Sequence, residues 1–340
     1  ATEVSDASGT LLLDVPQRRW SQEILGALGL DEKQLPRVAE SPVPETRVTG
    51  EAARSTGLRP GTPIVGGGGD QAASGVGNGI VEPGIVSSTI GSSGVLFAHT
   101  DAPHLDPGGR VHTFCHAVPQ RWHVMAVTQG AGLSLRWFRD NFAATEIELA
   151  AKSGKDPYEL LAAQASAAPP GCEGLLYLPY LMGERTPHLD PFARGVFFGL
   201  TARHTRAHVI RAIMEGVAYS LRDGLRIFEE MGVPSLQIRA SGGGGRSALW
   251  RQIQADVFNR EMVTINATEG SAYGVALLAA VGTGGFASVQ EACRSSIRVI
   301  DRCEPDSKRA RMYDEYYGIY RDLYARLRDN FRAVASIELG

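Results

Sequence analysis

Three glycine-rich segments constrain the fold of this 340-residue chain more than any other feature. Each follows a short apolar or β-branched run that is typical of a buried strand, and they lie at Gly66–Gly69, Gly91–Gly94 and Gly242–Gly245. Glycine loses much conformational freedom on folding, so clustered glycines indicate sharp turns or sites of close backbone approach. The first and third segments lead into helical patterns. Strands that alternate with helices in this way predict an α/β architecture.

Asp70 directly follows the first of these segments, in the sequence GGGGDQAASGVG. We predict a short buried strand at 63–65 before the glycines and a helix after them, which places Asp70 at a strand-to-helix junction. An aspartate at such a junction can cap the helix by accepting backbone N–H bonds. It can also present a carboxylate to a cleft. The local sequence leaves both roles open.

Besides the helix after the third glycine segment, three helices are predicted in the C-terminal half of the chain. Apolar residues at three- and four-residue steps predict the first over 205–232, and a stripe of tyrosines at helical spacing predicts another near the C-terminus. Such an aromatic stripe is typical of a face that docks on a core. Between them, the small apolar residues at 272–282 predict a buried helix.

Composition argues against several classes of partner. The net charge is only −3, which gives no reason to expect nucleic acid or an acidic membrane surface. No apolar run approaches the roughly 20 residues of a membrane span. The four cysteines form no C-x-x-C pair, which indicates free thiols in a reducing cytoplasm rather than disulfides or a zinc site. His112 and His116 lie in a strand-like alternation, so no metal site is predicted there.

Glycine turns that follow strands expose backbone N–H groups, which can bind phosphate oxygens without a side chain. None of the three segments matches G-x-G-x-x-G followed by an acidic ribose contact, and none matches G-x-x-x-x-G-K-[ST]. These mismatches argue against a dinucleotide dehydrogenase and against a P-loop enzyme. A nucleotide would have to be held in another way.

Several long motifs then occur in a fixed order along nearly the whole chain. They are GGGGDQAASGVGNGI, STIGSSGV, the segment from ERTPHLDPFARGVFFGL to GVAYSLRD, and ASGGGGRSALWRQIQADVF. In sequence and order they resemble the FGGY carbohydrate kinases. The ERTPHLDPFARGVFFGL loop and the opening SDASGTLLLDVPQRRW are most similar to the xylulose kinase branch of that family.

The resemblance implies an α/β, two-domain fold of the actin, hexokinase and Hsp70 type (ribonuclease H-like), of which this chain would hold largely the C-terminal domain. Residues 1–82 would be the remainder of the N-terminal sugar-binding domain, including the catalytic aspartate. Residues 83–333 would be the C-terminal nucleotide-binding domain. ATP and Mg²⁺ are the cofactors that the family implies.

The resemblance also assigns roles to single residues. The aspartate of the family's G-D-Q motif takes the proton from the sugar hydroxyl as it attacks the γ-phosphate, and Asp70 occupies that position. The nucleotide positions form three groups, on the ATP phosphates, near the ribose, and beside the α-phosphate and adenine. In that order they are Gly91, Ser92 and Ser93, then Gly132 and Arg136, then Gly242, Gly243, Gly244 and Ser247.

The function implied is ATP-dependent phosphorylation of a ketose, D-xylulose to D-xylulose 5-phosphate, by a cytoplasmic homodimer. The alternatives are a glycerol, ribulose or gluconate kinase, or a non-catalytic nucleotide-binding regulator of the same fold. The family's D-x-G-T-[ST] phosphate hairpin is not found before Asp70, so we expect the chain to be a fragment that is inactive alone. Glu184, Arg185 and His188 form either surface ion pairs or part of a cleft rim or subunit contact.

Overall fold

The computed structural model describes residues 1–337, and its first 77 residues form short elements rather than a large sheet. The strands pair only two by two: β1 with β4 in parallel, and β2 with β3 and β5 with β6 in antiparallel fashion. The elements of this part are β1 (Thr2–Glu3), α1 (Val4–Gly9), β2 (Leu13–Asp14), β3 (Arg19–Trp20), α2 (Gln22–Leu28), β4 (Val38–Ala39), β5 (Pro44–Arg47), α3 (Gly50–Thr56), β6 (Pro63–Val65) and α4 (Asp70–Gly77).

A seven-stranded mixed sheet organises the rest of the chain, in the order β15-β14-β13-β7-β8-β10-β9. The central strands β7, β13 and β14 run parallel, and the outer pairs are antiparallel. The elements are β7 (Gly84–Ile90), β8 (Gly94–Thr100), β9 (His112–Cys115), β10 (Trp122–Thr128), α5 (Gly132–Phe142), α6 (Ala144–Ser153), α7 (Pro157–Ala165), β11 (Leu176–Leu178), β12 (Val196–Phe198), α8 (Arg206–Glu230), β13 (Ser235–Ser241), α9 (Gly242–Arg246), α10 (Ala248–Phe258), β14 (Glu261–Ile265), α11 (Gly270–Gly282), α12 (Val289–Ser296), β15 (Val299–Cys303) and α13 (Ser307–Ala335).

The largest core lies where α8 packs between the sheet and α13. Apolar residues of α8 at helical spacing, such as Ile213 and Val217, are fully buried, as the periodicity of the sequence predicts. The tyrosine stripe of α13 docks on this core, with Tyr313 and Tyr320 fully buried. The two long predicted helices are therefore confirmed, together with the role of the aromatic stripe.

Helices α4 and α11 join the N-terminal part to the sheet domain through backbone contact. A Cβ atom on Gly77 would overlap the carbonyl oxygen of Gly270, and one on Gly274 would overlap that of Ala73. Glycine at these positions lets the two helices approach more closely than side chains allow. The prediction that α11 is buried holds only for the face that carries Gly274 and Leu277, because Val275 on the other side is 37% exposed.

Two further predictions need correction. The strand at 63–65 is present as β6, but it is not buried: it pairs with β5, and its Ile64 is 43% exposed. The third glycine segment forms the short helix α9 rather than an open turn. No helix in the described part of the chain is long and apolar enough to cross a membrane.

Candidate functional site

Asp70 is the first residue of α4, at the predicted strand-to-helix junction. The N-cap position is taken by Gly69, and within residues 1–337 the Asp70 carboxylate caps no helix N–H group. Its side chain is exposed, and the hydrogen bond it accepts, from the Gln71 amide, is long at 3.4 Å. The capping alternative is therefore wrong for this structure. The carboxylate is free to meet a ligand.

A buried carboxylate from the start of the chain holds the junction that precedes Asp70. Glu3 accepts hydrogen bonds from the backbone N–H groups of Ser5 and Asp6 at 2.7 and 2.6 Å, and from the Ser41 hydroxyl at 2.8 Å. The Gly69 N–H also donates to Glu3 at 3.2 Å and to the Ser5 hydroxyl at 3.0 Å. The Gly69 N–H at the start of α4 is thus satisfied by Glu3 of β1 and Ser5 of α1.

A cavity of about 530 Å³ opens beside α4. One wall is the α4 face that carries Ser74 and Asn78, at four-residue steps from Asp70. The opposite wall is formed by Gly242 and Gly243, at the end of β13. The loop before α11 closes one side, and its Ser271 hydroxyl donates to the Asp70 carbonyl at 2.8 Å. Asp70 itself does not line the cavity, but its backbone is hydrogen-bonded to a lining residue, Ser271.

The predicted glycine sites converge at the end of β7. The carboxyl ends of the parallel strands β7 and β13 meet at one edge of the sheet, where ligands of open α/β sheets commonly bind. Gly242 pairs with Ile90, has φ +71°, and leaves no room for a side chain, since its Cβ would lie 2.7 Å from the Ile90 oxygen. The N–H of Gly132 donates to the Gly91 carbonyl at 2.9 Å. The Gly91–Ser93 turn, the start of α5 and α9 are thus neighbours.

The predicted nucleotide residues have unequal positions in this arrangement. Gly242 and Gly243 line the cavity. The Gly91–Ser93 turn directly follows Ile90, the residue that pairs with Gly242, and Gly132 lies against Ile90 and Gly91. Arg136 is exposed one turn further along α5. Gly244 is buried against Ile90, and the Ser247 hydroxyl caps α10 by accepting the Trp250 N–H at 3.3 Å. The structure gives Gly244 and Ser247 packing and capping roles, and their contact with a nucleotide stays a prediction.

Sequence reasoning missed the polar side chains that complete the cavity. The lining residues of this kind are Ser74, Asn78, Thr89, Ser241, Arg246, Arg251, Thr264, Thr268 and Ser271. The guanidinium group of Arg246 is exposed and suits an anionic ligand, whereas that of Arg251 is paired with Asp301 at 2.8 Å. Ser74 and Asn78 could have been found from the sequence, because residues at four-residue steps from Asp70 share its face of the helix. The ATEGS segment after β14 was also a usable signal, because it is a further strand-to-helix junction.

The polar loop after β11 contains Glu184, Arg185 and His188, for which the sequence left surface ion pairs as one alternative. The surface ion-pair alternative is wrong for Glu184, because its side chain is only 4% exposed and none of the ion pairs in the described residues includes it. His188 stacks on Tyr324 with ring centroids 3.4 Å apart. This loop is therefore a packed part of the sheet domain.

Residues 1–337 contain no group of three or more histidine, cysteine, aspartate or glutamate side chains that could hold a metal ion. A Mg²⁺ ion that accompanies a nucleotide needs only one or two carboxylates, because phosphates and water complete its shell. Asp6 is exposed, and its carboxylate lies 3.5 Å from the position of a Cβ on Gly69, next to Asp70. Asp6 and Asp70 are thus two exposed carboxylates at the same junction, and carboxylates are the side chains that such an ion takes.

Two sequence profiles of one family cover most of the chain. Residues 86–283 match the profile of the FGGY family of carbohydrate kinases, C-terminal domain, and residues 1–77 match that of the N-terminal domain. The chain belongs to the FGGY family of carbohydrate kinases. The fold of this FGGY chain is accordingly of the actin and hexokinase type.

Individual relatives agree with the family. The chain is 36% identical to a xylulose kinase from Bacillus subtilis (strain 168) over 335 residues, and 35% identical to a gluconokinase from the same organism over 344 residues. These matches cover 98% and 99% of the chain. The structure of a ligand-bound xylulose kinase from Lactobacillus acidophilus superposes with a TM-score of 0.89 at 25% identity, over 98% of this chain and 66% of that one. The chain spans 65% of the length of the B. subtilis xylulose kinase and 66% of the gluconokinase.

Proposed function

We propose that a polypeptide containing these 340 residues is an ATP-dependent carbohydrate kinase that converts D-xylulose to D-xylulose 5-phosphate. The observation that carries the proposal is Asp70, an exposed carboxylate that caps no helix in the described residues and whose backbone carbonyl is hydrogen-bonded to Ser271 in the lining of a polar cavity. The relatives named xylulose kinase support the choice of sugar. The gluconokinase match keeps gluconate as the second candidate.

In the proposed reaction Asp70 accepts a hydrogen bond from the sugar hydroxyl and takes its proton as the oxygen attacks the γ-phosphorus of ATP. The bond from that phosphorus to the bridging oxygen breaks, and ADP leaves with the electron pair. Phosphoryl transfer depends mainly on positioning and charge stabilisation, so an acceptor at the right place suffices. Mg²⁺ would neutralise phosphate charge, with Asp6 and Asp70 as the nearby carboxylates.

The proposed nucleotide contacts follow the three groups of glycines and their neighbours. The Gly91–Ser93 turn would receive the phosphates, Gly132 and Arg136 the ribose region, and the segment Gly242–Ser247 the α-phosphate and adenine. The support is that the turn, the start of α5 and α9 are neighbours at one sheet edge. We place the division between sugar-binding and nucleotide-binding domains at 82, so that they cover 1–82 and 83–333.

The cellular setting is part of the same proposal. A cytoplasmic location agrees with the four free cysteines of the described chain, of which Cys115, Cys172 and Cys293 are buried. The homodimer stays a prediction.

The test is sugar-dependent ADP formation with ATP and Mg²⁺, measured for D-xylulose, D-ribulose, gluconate and glycerol. We expect D-xylulose to be preferred. Asp70→Asn should abolish turnover while nucleotide binding survives, since Asn cannot take the proton. Asp329→Asn, at an exposed position of α13, is the matched control. Near-normal turnover in Asp70→Asn would refute the base assignment, and ATP binding without turnover on any sugar would favour the regulator.

A further inference from the structure

Glu184 is a buried carboxylate that binds only uncharged groups in the part of the chain that the structure describes. Its two oxygens accept four hydrogen bonds. The donors are the Thr128 hydroxyl at 2.6 Å, the Ser220 hydroxyl at 3.3 Å, the Arg185 N–H at 2.7 Å and the Gln129 N–H at 2.9 Å. Burying a carboxylate away from cations is costly, so this arrangement calls for a reason beyond general packing.

The bond to Gln129 places Glu184 at the base of the segment 129–132, which connects β10 to α5. A second anchor supports the same place, because the Thr186 N–H donates to the Val127 carbonyl at 2.9 Å and the Thr186 hydroxyl accepts the Val127 N–H at 3.1 Å. The loop is therefore hydrogen-bonded to the end of β10 at two points, Glu184 and Thr186.

Segment 129–132 is in close backbone contact with its neighbours, including the Gly91–Ser93 turn. A Cβ atom on Gly130 would overlap the Pro179 carbonyl oxygen, and one on Gly132 would overlap the Gly91 carbonyl oxygen. The N–H groups of Gly132 and Leu133 donate to the carbonyls of Gly91 and Ser92 at 2.9 and 3.0 Å. The chain that follows Gln129 is thus packed against Pro179 and hydrogen-bonded to the turn.

We propose that Glu184 is a positioning residue for the nucleotide: by holding the Gln129 N–H, it sets the place of Gly132 and of the Gly91–Ser93 turn. The inference rests on the proposed nucleotide site. Without the carboxylate, the part-buried Gln129 N–H loses its acceptor, and the segment is no longer held in this place. The effect on the turn is indirect, since Glu184 is buried and acts through its bond to the Gln129 N–H.

Substitutions at Glu184 separate positioning from charge. Glutamine keeps an oxygen for the two N–H donors, and its amide can donate to the Thr128 hydroxyl, so Glu184→Gln should preserve the geometry. Alanine removes every acceptor. Aspartate is one methylene shorter and cannot reach both the Gln129 amide and the Thr128 hydroxyl, which gives a second variant if Glu184→Ala does not fold.

Asp223 provides a matched control on the same helix as Ser220. Its carboxylate is buried and accepts the Tyr317 hydroxyl at 2.6 Å, but its hydrogen bonds do not reach segment 129–132. Asp223→Ala should lower stability as the loss of any buried carboxylate network does. It should leave nucleotide affinity unchanged.

The experiment is calorimetric titration of the 340-residue chain with MgADP, at a temperature where thermal melts show each variant folded. We expect Kd to rise about tenfold or more in Glu184→Ala and Glu184→Asp, and to stay within about threefold in Glu184→Gln and Asp223→Ala. Unchanged Kd in a folded Glu184→Ala or Glu184→Asp variant overturns the positioning role while the nucleotide site stands. If the unsubstituted chain binds no MgADP, the proposed nucleotide site fails, and this inference fails with it.

Discussion

Burial of Glu184 makes the stability of the folded chain depend on pH near neutrality. Desolvation raises the pKa of this carboxyl from its ordinary 4.5 to about 7. The folded protein therefore keeps the proton up to about pH 7, whereas the unfolded chain releases it near pH 4.5. The contribution of this proton to the unfolding free energy is therefore complete below pH 4.5, and it is lost as the pH rises to about 7. The full loss is roughly 3 kcal/mol, at about 1.36 kcal/mol per pKa unit.

Glu184→Gln isolates this effect because glutamine resembles the protonated glutamate and does not titrate. Urea unfolding of both proteins between pH 5 and pH 8 gives the difference in unfolding free energy. We expect that difference to shift in favour of the glutamine variant by roughly 2–3 kcal/mol over this range. Because Tyr180 and Tyr320 beside the network have pKa values raised well above 10 by burial, they stay neutral throughout.

Asp223 titrates in the same range, since burial raises its pKa to about 7, but it is present in both proteins and cancels in the difference. A difference that stays constant from pH 5 to pH 8 would refute the reasoning. It would mean that the four hydrogen bonds compensate the buried charge and that Glu184 is ionised at all these values.

Three further substitutions test other parts of the structure. Gly274→Ala should destabilise the fold by about 1–3 kcal/mol in urea unfolding, because its Cβ meets the Ala73 carbonyl; an unchanged midpoint contradicts the close approach of α4 and α11. Below about pH 6.5, the unfolding free energy should fall less steeply in His123→Phe than in the unsubstituted chain. Burial lowers the pKa of His123 to about 3, and neither ring nitrogen has a hydrogen-bond partner in the described residues, so protonation of this histidine favours the unfolded chain. If the variant loses stability as steeply as the unsubstituted chain, groups other than His123 cause the loss. Gly243→Val should weaken MgADP binding in calorimetry without loss of folding.

Much of the fold could be predicted because the signals are local. The helix over 205–232 follows from apolar residues at three- and four-residue steps, and it is observed as α8. The strand-to-helix junction at Asp70 follows from a glycine run between an extended and a helical pattern. Each of these signals lies within one continuous segment of the chain, so no tertiary contact is needed to recognise it.

The electrostatic part of the site could not be predicted in the same way. Glu184 has the sequence context of a surface loop, with glycine and arginine beside it. What buries it are Thr128 and Ser220, which lie 56 and 36 residues away in sequence. Likewise, an aspartate after glycines is a good helix cap, but Glu3 satisfies the Gly69 N–H from 66 residues upstream. Partners at such separations are brought together only by the fold.

The glycine runs show the same limit, and they also show how to choose a substitution. In sequence, Gly242, Gly243 and Gly244 are equivalent, yet their surroundings differ. A Cβ on Gly242 or Gly244 would lie 2.7 or 2.6 Å from atoms of Ile90, so substitution there would disturb the sheet edge before it could affect a ligand. A Cβ on Gly243 would lie 3.8 Å from the nearest atom, and the residue lines the cavity. Valine at this position can therefore fit the fold and still fill the space of a nucleotide. If a folded Gly243→Val chain binds MgADP with unchanged affinity, the glycines of α9 serve the packing of the sheet and not a ligand.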